Sequence, residues 1–176
     1  MNQEQLNKLV KQGKILIYPT DTVYGIGCNA LDSKAVYKIR NIKARDKDKP
    51  LSIIAPSIDW IKENCIIEQE LMPNLEKYLP GPYTLILKKK DPNFLTQVSN
   101  TDSLGIRIPD SKFTKQIQET GIPFITTSVN LSGEPFAVKI SNISNEIKSQ
   151  VDEIIDIGEL NGRPSTLIIN GKEIKR

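Results

Sequence analysis

The stretch KILIYPTDTVYGIG, residues 14–27, decides how the chain is read. Its first half is short, apolar and rich in β-formers, so it predicts a strand. Its second half sets the hydroxyls of Thr20, Thr22 and Tyr24 and the acid Asp21 ahead of Gly25 and Gly27, more polar groups than a plain turn requires. Hydroxyls on a glycine-bearing loop can bind a small polar ligand while the backbone comes close. A Pro-Thr-Asp turn is also ordinary loop chemistry.

Upstream, Leu6, Leu9 and Val10 repeat at helical spacing, and Gly13 stands where a left-handed cap would end the helix. Downstream, Asp32 is placed to cap a helix whose buried side is Ala35, Val36, Ile39 and Ile42. LSIIA is the next strand candidate, Ser57 or Asp59 starts a short helix carrying Trp60 and Ile61, and an acidic helical stretch ends at Pro80-Gly81-Pro82. YTLILK, LGIRI and FITTS read as strands, with a helix over SKFTKQIQETG between the last two. The tail predicts a weak helix near NISNEIKSQV, a short strand EIIDI, and a hairpin of STLIIN and KEIKR turning at Asn170-Gly171. Helices and strands interleave without regular βαβ spacing. The expected fold class is therefore α/β, a twisted mixed sheet flanked by helices rather than a doubly wound nucleotide fold. The length of 176 residues suits one domain, 1–176.

Composition narrows the chemistry. The chain has no histidine, which excludes a Ser-His triad, an imidazole base and any His-containing zinc site. It has no G-x-x-x-x-G-K-[ST], and Gly25-Ile26-Gly27 lacks the third glycine of a dinucleotide fingerprint. Cys28 and Cys65 form no metal or redox spacing, which fits a reducing, cytoplasmic setting. No apolar run approaches the roughly 20 residues of a membrane helix, so no membrane partner is expected and the NLS and NIS sequons should stay unmodified. Net charge is a mild +3. Its distribution is uneven, with seven basic residues from Lys34 to Lys49 and a second cluster at Lys88-Lys89-Lys90, either of which can be a solvated face or a phosphate-facing one.

Three further clusters fall at predicted strand or helix ends. In KARDKDKPL, Lys43 and Arg45 alternate and point the same way in extended chain, with Lys49 close behind, a pattern that suits a polyphosphate or a solvated basic loop. In LGIRIPD, Arg107 lies between Ile106 and Ile108, so strand alternation turns it away from them, toward a ligand carboxylate or an internal acid. In TTSVNLSGEP, Ser128 and Asn130 share a face two residues apart and can donate to phosphate oxygens or cap a turn.

Taken in order, YPTDTVYGIG, KAR with KPL, PGPYTLIL, LGIRIP, TTSVNLSG and RPSTLI resemble the YrdC/TsaC family of L-threonylcarbamoyladenylate synthases, from about residue 15 to 169. The resemblance implies a YrdC-like fold with a basic concave surface. It implies a nucleotidyltransferase joining L-threonine, bicarbonate and ATP into threonylcarbamoyl-AMP and pyrophosphate, with Mg²⁺ carried by the ATP. The product would go to a tRNA threonylcarbamoyl-transferase complex that modifies tRNA. By the resemblance, Lys43, Arg45, Lys49, Ser128 and Asn130 would serve the polyphosphate and the reaction, Arg176 would reach the nucleotide, and Arg107, Thr22, Tyr24, Thr126 and Ser165 would form the threonine pocket. The glycines of YGIG would let the backbone close on that pocket. Relatives often carry proline where Asp46 stands, longer ones place a histidine at Ile54, and closure here is expected from this domain's own loops or tail. The alternatives are a YciO-like paralogue and an RNA-binding module using Lys88, Lys89 and Lys90.

Overall fold

The computed structural model describes the chain except for Arg45, Lys47, Glu70, Ser132, Asn161 and Arg176 and the side chain of Asn74. Helix α1 (Gln3–Lys11) starts in a capping box, in which the Asn2 side chain accepts from Gln5 N–H and the Gln5 side chain accepts from Asn2 N–H, and the chain leaves it through Gly13 at φ 67°. Strands β1 (Leu16–Tyr18) and β2 (Gly25–Gly27) follow. Asp32 then caps α2 (Ser33–Ile42) by accepting from the Lys34 and Ala35 amides, as the sequence predicts.

The remaining elements are β3 (Ser52–Ile54), α3 (Ile58–Asn64), β4 (Cys65–Ile66), α4 (Leu75–Tyr78), β5 (Tyr83–Lys89), β6 (Ser103–Arg107), α5 (Lys112–Gln118), β7 (Phe124–Ser128), α6 (Asn145–Lys148), β8 (Glu153–Ile154), β9 (Thr166–Ile169) and β10 (Lys172–Ile174). The strands form one sheet in the order β10-β9-β5-β6-β3-β7-β2-β1-β8, with β4 added beside β5. Pairs β1–β8, β3–β6 and β5–β9 are parallel and the others antiparallel, so the sheet is mixed, as expected.

Register assigns the two faces. Ile17 pairs with Ile26, Ile53 with both Ile106 and Ile125, and Leu85 with Ile106, which sends these side chains into the larger core beneath Ala35, Val36 and Ile39 of α2. The opposite face contributes Leu16, Tyr18, Ile54 and Phe124, which pack against Leu6 and Val10 of α1 and Phe113 and Ile117 of α5. Tyr18 stacks on Phe113 at 4.3 Å between ring centres and meets Phe124 edge-on at 5.7 Å.

Two sequence expectations change here. Gly25–Gly27 of the YGIG segment form a central strand, not a loop, and the glycines lie against Tyr18, Ile125 and Phe124. A Cβ on Gly25 would come 3.0 Å from the Tyr18 ring, and one on Gly27 would lie 1.9 Å from the Ile125 carbonyl and 2.5 Å from the Phe124 ring. They make room for the aromatic cluster. Lys89 does not belong to a surface triplet, because strand alternation turns it inward, where it is 1% exposed and donates to the carbonyls of Pro92, Phe94 and Ser99. Ile54 is buried among the aromatic rings, which gives that position a packing role in this chain.

Candidate active site

The face that carries the aromatic cluster continues past the helices into an open cavity of about 450 Å³. Its wall includes Thr22, Lys43, Ser52, Thr84, Arg107, Thr126, Ser128, Asn130 and Ser165. The ladder explains why these meet, since Ser52 pairs with Gly105 of β6 and with Thr126 of β7, while Gly25 of β2 pairs with Ser128. Gly105 keeps this floor open, because a Cβ there would lie 2.4 Å from the Ser52 hydroxyl oxygen.

On one side stands Arg107, at the end of β6 and 8% exposed. Its Nη2 donates to Asp21 Oδ1 at 2.9 Å and to Thr22 Oγ1 at 3.3 Å. Asp21 is itself fixed by the Asp110 amide, which donates to Oδ2 at 3.1 Å. An internal acid therefore orients Arg107, and its buried Nε has no hydrogen-bond partner among the described residues. Burial lowers the Arg107 pKa and the Asp21 charge opposes that shift. An oriented guanidinium lining a cavity suits an arriving carboxylate.

On the other side Lys43, at the C-terminal cap of α2 and 2% exposed, donates through Nζ to the carbonyl of Ser128, to that of Asn130 at 2.8 Å and to Asn130 Oδ1 at 3.4 Å. Asn130 in turn donates through Nδ2 to the carbonyls of Leu131 and Glu134, at 3.0 and 2.7 Å. The K-x-R and S-x-N stretches, 85 residues apart in sequence at Lys43 and Ser128, thus share one hydrogen-bonded corner of the cavity. Between the two sides, Thr20 and Thr22 hydroxyls lie 2.9 Å apart, and Thr84 and Ser165 hydroxyls 2.8 Å apart. Gly162 allows the segment before Ser165 to cross directly over Thr22, whose carbonyl would lie 1.6 Å from any Cβ at 162.

Not every expected residue lines this cavity. Tyr24 is buried away from it, with its hydroxyl accepting from Ile157 N–H at 3.0 Å and lying within hydrogen-bond distance of the Gly158 carbonyl and Asp156 Oδ1. It anchors the segment after β8. Lys49 is exposed, and its carbonyl accepts from Arg40. Arg45 and Arg176 lie outside the described residues. Sequence reading missed Ser52, Thr84 and Phe136 as lining residues, and Asp21 as the partner of Arg107. Strand alternation from Arg107 across the ladder was the signal for Ser52, but only the register could name it.

Glu134 is the one acid among the cavity's described lining residues, and among the described residues no three metal-ligating side chains gather anywhere. The wall offers hydroxyls, amides and cations. Such a donor set fits the phosphates of a metal-bearing nucleotide and leaves the metal to be held by those phosphates.

A model of the Sua5/YciO/YrdC family, described as telomere recombination, matches residues 8–175. A putative threonylcarbamoyl-AMP synthase of Methanocaldococcus jannaschii is 40% identical over 166 residues, covering 94% of this chain and 78% of the relative. The threonylcarbamoyl-AMP synthase of Haemophilus influenzae strain Rd is 37% identical over 141 residues, 77% of this chain and 76% of the relative. Among solved structures, Pyrococcus abyssi Sua5 complexed with L-threonine superposes with a TM-score of 0.84 at 31% identity, covering 94% of this chain and 50% of that one. Escherichia coli YciO shares the fold at 24% identity, with a TM-score of 0.82 over 99% of this chain and 92% of that one.

Proposed function

This chain belongs to the Sua5/YciO/YrdC family, and from that premise we propose that it is an L-threonylcarbamoyladenylate synthase, a nucleotidyltransferase acting on L-threonine, bicarbonate and ATP. The observation that carries the reading is the pairing, across one cavity, of an Arg107 held by Asp21 with the Lys43, Ser128 and Asn130 corner.

In the reaction the threonine amine and bicarbonate form a carbamate and release water. A carbamate oxygen then bonds to the α-phosphorus of ATP as the bond to the β-phosphate oxygen breaks, so that threonylcarbamoyl-AMP forms and pyrophosphate leaves. No group here needs to be an imidazole. The work is to hold anions together and to offset the charge of the triphosphate and the transition state. Arg107 anchors the threonine carboxylate, held in place by Asp21, and Thr22, Thr126 and Ser165 line the amino-acid side of the cavity. Lys43, Ser128 and Asn130 line the side of the cavity that would take the polyphosphate. Bound with the nucleotide, Mg²⁺ would neutralise part of the phosphate charge. The adenylate would pass to a tRNA threonylcarbamoyl-transferase complex in the cytoplasm. Among the described residues, no helix is long and apolar enough to cross a membrane.

The test is pyrophosphate release by the purified chain with ATP, Mg²⁺ and bicarbonate, with and without L-threonine, and with serine for comparison. Release that requires threonine and bicarbonate is the expected result. No release above background from folded protein overturns it and favours the YciO-like reading.

A further inference from the structure

Arg40 reads from the sequence as one more cation on the basic run of α2, yet it is only 7% exposed. Its guanidinium donates to four main-chain carbonyls belonging to two different segments. Nη1 reaches Asp46 at 3.2 Å and Lys49 at 2.9 Å, and Nη2 reaches Gln97 at 3.1 Å and Val98 at 3.0 Å. The first two carbonyls lie on the connection from α2 to β3, the stretch of Lys43 and Lys49. The other two lie on the connection from β5 to β6. Burial lowers the Arg40 pKa, opposed by the charges of Asp46 and Asp48.

The connection after Lys43 is otherwise an unlikely shape for its sequence. Ala44 sits at φ 45°, a left-handed conformation that a non-glycine residue keeps only where its surroundings hold it. Asp46 then accepts the Asp48 amide on its side chain and the Lys49 amide on its carbonyl, building a turn whose carbonyl is the one Arg40 grips. The second connection joins in, as Asn100 donates to Asp48 Oδ1 at 3.0 Å and the Val98 carbonyl also accepts from Leu51 N–H at 2.9 Å. A flat guanidinium with fixed donor directions can tie both segments at once, whereas an ammonium on a flexible stem holds them less rigidly.

We propose that Arg40 is a positioning residue for polyphosphate binding, whose fork fixes the main chain at Asp46 and Lys49, between Lys43 and Pro50 of the cavity wall. The inference rests on the reading of that side of the cavity as the one that takes the polyphosphate. It goes further in giving a buried, non-contacting side chain control over one substrate and not the other. A segment ordered beforehand binds its anion without the cost of being ordered at that moment.

Arg40→Lys and Arg40→Met in the full chain test this, with thermal unfolding as the check on folding. Two readouts are taken: binding of inorganic tripolyphosphate in the presence of Mg²⁺ by calorimetry, and KM for ATP and for threonine with kcat in pyrophosphate release. For Arg40→Lys we expect tripolyphosphate affinity to fall and KM for ATP to rise by about tenfold, with KM for threonine within about twofold of the parent. Arg40→Met should lose more. Folded Arg40→Lys with unchanged tripolyphosphate affinity overturns the proposal, as does a parallel rise of both KM values. If Arg40→Met fails to fold, Arg40→Lys decides. If the parent releases no pyrophosphate, the synthase reading fails while the tripolyphosphate arm still decides the role of Arg40, and a parent that binds no tripolyphosphate overturns it.

Discussion

The two ends of one sheet face share strands, register and side-chain direction, yet one is sealed and the other open. At the sealed end Tyr18, Phe124 and Ile54 lie under α1 and α5. At the open end Ser52, Arg107, Thr126 and Ser128, on the same strands or their neighbours, line a cavity. The difference lies in what covers each end and how its polar groups are satisfied. The Tyr18 hydroxyl donates to the Ile125 carbonyl at 3.2 Å, and burial pushes its pKa well above the usual phenol value. Arg107, also buried, keeps an unpartnered Nε. The aromatic end is closed by its covering helices, whereas Arg107 lines the open cavity beside Asp21.

The comparison can be broken at either end. The largest effect should come from Phe113→Ala, which empties the ring stack of the sealed end and should cost about 3–5 kcal/mol in denaturant unfolding. If the ends are separable, substrate KM values of the folded fraction stay near those of the parent. Next comes Arg107→Ala, expected to lower kcat/KM for threonine by roughly 100-fold while changing KM for ATP little. It also leaves Asp21 without its cation, so Arg107→Lys is the sharper variant, keeping charge and stability but not the fork. An equal loss toward both substrates would remove Arg107 from the amino-acid side.

A smaller change is expected from Thr84→Val, which deprives the buried Ser165 hydroxyl of its partner and should cost about 1 kcal/mol of stability, with a severalfold rise in KM for threonine. The smallest concerns neither end. Burial works to raise the Asp152 carboxyl, but the Ile15 amide and the Lys14 ammonium outweigh it and hold its pKa below the ordinary value. Its contribution is therefore present above the unfolded carboxylate pKa and fades as pH falls through the lower, folded one. Asp152→Asn should flatten the acid limb of stability against pH without moving either KM.

Much of this was legible along the chain because local chemistry settled it. Asn2 and Asp32 cap the helices they precede, Asn170-Gly171 turns the last hairpin with Asn170 at φ 50°, and alternation turned Arg107 away from Ile106. The candidate site was legible as residue types at strand ends. What escaped was set by partners distant in sequence. Gly25 and Gly27 carry no β-propensity, so YGIG read as a loop, although Tyr18 and Phe124 need the space that glycine leaves. Lys89 and Arg40 looked like surface charge, since nothing local reveals the carbonyls that receive them. Tyr24 looked like a pocket hydroxyl until the segment after β8 came to meet it.

The sequence by itself determined the mixed α/β class, the family, and the chemistry available in a chain without histidine, because propensity, capping and ordered motifs are written in neighbouring residues. Only the tertiary structure decided which cations are buried, which hydroxyl is spent on the fold, and that Arg107 meets Asp21 at the cavity wall. Those outcomes depend on desolvation and on hydrogen-bond partners brought from far along the chain, and a side chain's role follows from what is left once those partners are counted.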